Sequence, residues 1–283
     1  VVVGYGAQRK ADLTAPISTI SGGEIASQPS VNAVSGLQGK IAGVQINNAG
    51  APGSAPQIRI RGVGSVSFNP ATGTSSASPL FVVDGVWTND ISFLNSSDIE
   101  NMSILKDASA AAIYGNRSAN GVVIITTKKA KQGVSTITYN VSTGLQKITN
   151  ELEMANAFEY ATLANEIYAS QNNGDLLYDS NSLYKPGISD PEGTDWFHQL
   201  FRQAIMTNHN ISFTGSNDKL SSAYSASYLD QDGLSKNQNF ERITIKLHNE
   251  YKAFPNFKIG YNLFATLSEL NDVPNNIFTS AYN

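Results

Sequence analysis

Glu241-Arg242-Ile243-Thr244-Ile245-Lys246-Leu247-His248-Asn249-Glu250-Tyr251 alternates almost without a break. Successive side chains of an extended strand point to opposite faces. Ile243, Ile245 and Leu247 therefore share one side, and Arg242, Thr244, Lys246, His248 and Glu250 share the other. The stretch reads as a β-strand with one dry and one wet face. The same period places Ile137, Tyr139, Val141 and Leu145 on one face of an earlier strand, Ile211 and Phe213 on a second, and Leu220, Tyr224 and Tyr228 on a third. It returns in a last strand with Phe257, Ile259, Tyr261, Leu263 and Leu267. Several of these run for about ten residues, the length of a tilted transmembrane strand.

The connections carry a signal of their own. Residues 216–219 and 253–256 are tight polar turns, 230–239 is intermediate, and 149–207 is a long insertion. Short and long connections alternate, as in an outer-membrane barrel. The insertion holds an expected amphipathic helix with Met154, Ala157, Phe158, Ala161, Ala164 and Tyr168 at helical spacing. Alternation by itself fits a soluble sandwich equally well. Five strands do not close a membrane barrel, which needs about eight. On the barrel reading, the 283 residues are the N-terminal part of a longer chain.

Upstream of about residue 132 the pattern changes to short apolar strands between glycine turns: Val44-Gln45-Ile46, Ile58-Arg59-Ile60-Arg61, Leu80-Phe81-Val82-Val83 and Val122-Val123-Ile124-Ile125-Thr126-Thr127. Helices are expected at 34–40 and 108–114. This half reads as a compact mixed αβ domain, with the polar stretch 128–133 as a linker.

Composition narrows the functional classes. Only 15% of residues are charged and the formal net charge is -4, so no basic field is available for nucleic acid. There is no cysteine, which removes disulfides and thiolate metal sites. His198, His209 and His248 have no metal-ligand spacing, and Asp230-x-Asp232-Gly233 lacks the rest of a calcium loop. No GxSxG motif or phosphate loop is present, so an enzyme is not expected.

Blocks in the first half carry a specific resemblance. Leu37-Gln38-Gly39-Lys40-Ile41-Ala42-Gly43-Val44-Gln45, Gly50-Ala51-Pro52-Gly53-Ser54 and Ile58-Arg59-Ile60-Arg61-Gly62 occur in order. Pro79-Leu80-Phe81-Val82-Val83-Asp84-Gly85-Val86 follows, then Ile99-Glu100-Asn101-Met102-Ser103-Ile104-Leu105-Lys106-Asp107 running on to Tyr114-Gly115, and Asn116-Arg117-Ser118-Ala119-Asn120-Gly121. Together they resemble the plug domain of the SusC/RagA family of TonB-dependent outer-membrane transporters. Asp195-Trp196, Tyr228-Leu229-Asp230-Gln231-Asp232-Gly233 and Phe240-Glu241-Arg242 extend the likeness through nearly the whole chain.

The resemblance implies an α+β plug domain at 1–131, then antiparallel strands of a large, 22-stranded transmembrane β-barrel at 132–283. It implies active import of a glycan or peptide oligomer with the plug as gate. The alternative is a receptor of the same fold that signals inward. The implied partners are TonB with its ExbB/ExbD energising complex, a SusD-like surface lipoprotein and outer-membrane lipid; no cofactor or metal is implied. Val1, Val2 and Val3, in a segment resembling the TonB-box region without its usual preceding acidic residue and valine, are candidates for the TonB-coupling strand or simply for the first plug strand. Phe68 and Asn69 in an apical loop, with Tyr184 and Trp196 in the insertion, are the candidate substrate contacts. Arg59 and Arg61 either meet substrate or hold the plug together. Gly62, the turn pair Asp84-Gly85, Lys106, Asp107, Tyr114 and Gly115 complete the plug's structural residues.

Overall fold

The computed structural model describes residues 2–3, 6–7, 17–27, 32–48, 50–62, 68–69, 74–75, 78–107, 111–151, 155–178 and 194–273. One compact unit comprises Val1–Leu145, Ile205–Gly233 and Gln238–Asp272; a second comprises Gln146–Ala204, Leu234–Asn237 and Val273–Asn283.

Short strands make up the first half. β1 (Val2–Val3) pairs with β2 (Gly6–Ala7). β3 (Ile17–Ser21) precedes β4 (Val44–Asn47) and β5 (Gln57–Ile60), which pair with each other, as do β6 (Phe68–Asn69) and β7 (Thr74–Ser75). β8 (Leu80–Val83), β9 (Val86–Thr88), β10 (Ile99–Leu105) and β11 (Val122–Thr127) join β3 in a five-stranded sheet of order β3-β10-β11-β8-β9. β8 and β11 run parallel in its centre. A sheet covered on both faces has no use for alternation. Accordingly Val122, Val123, Ile124 and Ile125 are all buried, Val123 and Ile125 with Ile25, Leu37, Ile99 and Met102, and Val122 and Ile124 with Leu80, Val82 and Tyr114.

Helix α1 (Gly22–Ala26) starts from a capping box in which the Ser21 and Glu24 side chains each accept from the other's backbone N–H. It lies so close to β10 that a Cβ on Gly22 would stand 1.9 Å from the carbonyl oxygen of Ile99, whereas one on Gly23 meets nothing within 4 Å. Gly22→Ala is expected to destabilise the protein by about 3 kcal/mol or more, since the helix must leave the strand. Gly23→Ala is expected to be neutral or slightly stabilising. Urea denaturation of the two variants checks this, and equal midpoints would remove the close-approach argument.

The expected helix at 34–40 shrinks to one 3-10 turn, Ser35–Leu37, because Gly39 has a φ of 74° that ends any right-handed helix. At 108–114 the first three residues lie outside those described. Of the remainder, Ala111 is helical and 112–114 open a 3-10 segment, Ala112–Ser118, whose interruption at Gly115, φ 63°, falls just beyond the expected stretch. Asp84 and Gly85, at φ 48° and 90°, form the two-residue turn between β8 and β9, the conformation that favours Asp-Gly in a tight hairpin.

The second half of the first unit is a different sheet, β12 (Ser135–Gln146), β13 (Ala204–Ser216), β14 (Leu220–Asp232), β15 (Asn239–Phe254) and β16 (Phe257–Asn271), in chain order. Pairings from β13 to β16 are antiparallel. The 217–219 turn is fixed by the Asn217 carboxamide oxygen, which accepts from the N–H groups of Lys219 and Leu220. These strands, 12 to 16 residues long, exceed the usual globular length of about 5–6. No helix among the described residues is long and apolar enough to cross a membrane, which says nothing about strands.

The second unit carries α2 (Ala157–Gln171), capped by Asn156 and Glu159, and α3 (Trp196–Leu200), capped by Asp195. α2 departs from the expected amphipathic pattern. Ala161 is buried, but Phe158 and Tyr168 are exposed along with Leu163 and Ile167. The helix is held instead by Asn165, which bonds both the N–H and the carbonyl of Tyr178. Small residues face inward and the larger apolar ones face out. Met154 lies outside the described residues.

Candidate functional site

Burial in the second sheet is inverted relative to a water-soluble sandwich. On β15, Arg242 and Lys246 retain only 5% and 3% of their surface, and Thr244 and His248 are also buried, whereas Ile243 and Ile245 are 46% and 43% exposed. The exposed apolar row continues through Ile137, Tyr139 and Val141 on β12, Ile211 on β13, and Ile259, Leu263 and Leu267 on β16. From Ile243 to Tyr251 it runs about 27 Å along the strand, which a tilt of 35–45° reduces to about 20 Å.

The polar row meets the plug through separate contacts spread along the wall. Arg242 donates from Nη1 to the carbonyl of Ser92. The Asn95 carboxamide donates to that of Asn208 at 3.3 Å, and the Ser225 hydroxyl donates to the Asp98 carboxylate at 2.8 Å. Lys246 Nζ reaches the carbonyl of Lys128 at 3.4 Å. The backbone N–H of Gly53 donates to Gln231 Oε1 at 3.2 Å. Gly53, at φ 68°, lies against the Phe240 ring, where a Cβ would come within 2.4 Å. One aromatic contact, Phe93 against Phe264 with centroids 5.1 Å apart, completes the seam.

Between these contacts lies a cross-strand row of Asn210, Ser227 and Thr244. The Thr244 hydroxyl is buried without a hydrogen bond among the described residues, a cost ordinarily met by water, and the buried Asn210 carboxamide lies beside the Asp98 carboxylate. Burial pushes the Asp98 carboxyl above its ordinary value, opposed by the Ser225 hydroxyl and by Lys246 and Lys128. Its own backbone carbonyl accepts from Lys128 N–H at 2.8 Å, so the group is fixed where the plug gives way to the wall.

The other residues singled out from the sequence fall into three groups. Arg61 forms an ion pair with Asp107, Lys106 Nζ donates to the carbonyl of Ala42 at 2.7 Å, and the Arg61 N–H donates to the carbonyl of Gly43. Gly62, at φ 90°, follows Arg61 beyond the end of β5, and Arg59 stands opposite Gln45 within the β4–β5 pair. Asp84 accepts from the N–H and hydroxyl of Thr127 at 2.9 and 2.6 Å, and Tyr114 is buried with its ring 6.0 Å from that of Trp87. These bonds are internal to the plug. Val2 and Val3 stand opposite Ala7 and Gly6 in a hairpin. Trp196 is exposed at the start of α3, where His198 N–H holds the Asp195 carboxyl below its ordinary value. Val1, Tyr184 and the side chains of Phe68 and Asn69 lie outside the described residues.

The plug's side of the seam was not anticipated from the sequence. Asp98 directly precedes the buried run of β10 and Gly53 sits within a quoted motif, but neither signals which wall residue it meets. Among the described residues no cluster of histidines and carboxylates could hold a metal ion.

Residues 9–122 match the family model described as TonB-dependent Receptor Plug Domain. Over 259 residues the chain is 38% identical to TonB-dependent receptor SusC of Bacteroides thetaiotaomicron, covering 88% of this chain and 24% of that protein. Over 271 residues it is 35% identical to TonB-dependent receptor P3 of Formosa agariphila, covering 93% and 24%. The structure of the RagAB peptide importer in its open-open state superposes with a TM-score of 0.81 at 29% identity, covering 96% of this chain and 32% of that one. The chain thus spans about a quarter of the length of these curated relatives.

Proposed function

The chain belongs to the SusC/RagA family of TonB-dependent outer-membrane transporters, and from that premise we propose that it supplies the gate and first wall strands of an importer for oligomeric nutrients. The observation that carries this reading is the inverted burial of β15, with Arg242 and Lys246 covered by the plug and Ile243 and Ile245 facing away. An outward apolar band fits lipid, and an inward polar wall fits a plug that must seal the lumen and still come out of it. The similarity to the RagAB peptide importer supports a peptide among the cargoes, glycan or peptide, that the family resemblance implies. The protein resides in the outer membrane, and its work is binding and force transmission without catalysis.

Energy enters when an extended segment around Val1, Val2 and Val3 adds as a strand to TonB, powered by ExbB/ExbD. Valine favours the extended backbone this requires. A SusD-like surface lipoprotein caps the barrel, and Trp196, Tyr184, Phe68 and Asn69 contribute to the surface that cargo meets.

In cells producing the full protein, collapse of the proton-motive force is expected to abolish uptake. Val2→Pro with Val3→Pro, which removes two main-chain donors, is expected to abolish uptake while leaving cargo binding intact. Uptake that survives loss of the proton-motive force would overturn energised import. Uptake that survives only the proline changes would move the coupling strand elsewhere.

A further inference from the structure

The plug holds a cavity of about 100 Å³ lined by four apolar side chains, Val34, Ile58, Phe81 and Ile91, and by polar residues that include Asn32 and Asp90. The four apolar side chains are buried. Its mouth is polar, with Ser78 and Asn89 exposed at the rim. Ser92, in the same lining, is the residue whose carbonyl accepts from Arg242, so the cavity lies at the end of the wall where β14 finishes and β15 begins.

We infer that this cavity is a subsite for one branched aliphatic side chain of a peptide cargo, with the peptide's backbone amides meeting the polar rim. Size and chemistry both point this way. A cavity of about 150 Å³ seats a benzene ring, so the smaller space here takes an isobutyl-sized group. A pyranose ring would press hydroxyls against Val34, Ile58, Phe81 and Ile91, which offer no hydrogen bond, while the polar groups of the lining are partly engaged already, Asn32 donating to the Ser54 carbonyl and the Ser92 hydroxyl to the Asp90 carboxylate. The inference deepens the importer reading and rests on it, because it names the cargo class that the gate meets.

The test uses the full transporter with its native partner in lipid nanodiscs. Three probes are titrated calorimetrically: pentaglycine, the same peptide with a central leucine, and maltopentaose. The leucine peptide is expected to bind roughly ten- to a hundredfold more tightly than pentaglycine, the range that burial of one such side chain supplies. Ala55→Leu, made at an exposed lining position so that the new side chain fills the cavity without disturbing the core, is expected to erase that preference. Ala55→Gly is expected to keep it. A leucine preference that survives Ala55→Leu, or binding of maltopentaose in place of both peptides, overturns the subsite. Uptake driven by the proton-motive force alongside such a result would leave the importer reading standing, whereas a leucine preference without energised uptake would do the reverse.

Discussion

Cysteines placed at Asp98 and Ser225 and joined by oxidation are expected to stop import. The two side chains already meet at 2.8 Å across the boundary between plug and wall, and these 283 residues contain no cysteine. A disulfide there replaces a hydrogen bond that water can substitute with a bond that water cannot. Uptake should fall by at least about tenfold in oxidising medium and return on reduction by a thiol. Cargo binding at the outer face should persist throughout, because the cross-link leaves the plug seated. Normal uptake through a fully cross-linked protein would mean that cargo passes without movement at this part of the plug.

The second large effect concerns the opposite face of the same sheet. Ile245→Arg is expected to cost about 2–4 kcal/mol of folding stability if this position faces the bilayer midplane. Leu220→Arg, close to the short turns, should cost about 0–1 kcal/mol. In a sheet bathed by water the two changes would be alike and nearly harmless, since Ile245 and Leu220 are both exposed. Folding of the full protein into lipid vesicles across a urea series separates the two cases. Equal small effects at both positions would remove the lipid-facing assignment.

The two faces of the wall were readable because a period of two separates them without reference to anything else. Ile243, Ile245, Arg242, Thr244 and Lys246 could be sorted into rows from the sequence. What period cannot say is which row is covered, and that decides between a sandwich and a barrel. The answer lies in contacts such as Ser225 with Asp98, 127 positions apart in the chain. The helix expected at 34–40 is cut short for a local reason: Gly39 adopts a backbone angle that ends a helix, so apolar spacing alone over-read it. At 108–114 the described residues 111–114 are helical, and the break at Gly115 falls just beyond them. In α2 the helix was legible but its buried face was not: of the described stripe positions Ala161 is buried while Phe158 and Tyr168 are exposed, and Asn165 supplies the anchor. Within the candidate site, the wall's polar row was legible and its partners Ser92, Asn95 and Lys128 were not. Two of those three contribute a backbone carbonyl, which every residue possesses.

The seam is built from discrete contacts separated by the row of Asn210, Ser227 and Thr244, and this gives it a distinctive mechanical character. A continuous apolar interface loaded by a pull would hold until all of it failed together, like a brittle joint. Contacts worth about 0.5–1.5 kcal/mol each, with neighbouring polar groups ready to be wetted as a contact opens, give way one after another. The peak force is then set by the strongest single contact and not by their sum. On the importer reading, such a boundary would yield as a lubricated bearing does, with friction rather than fracture.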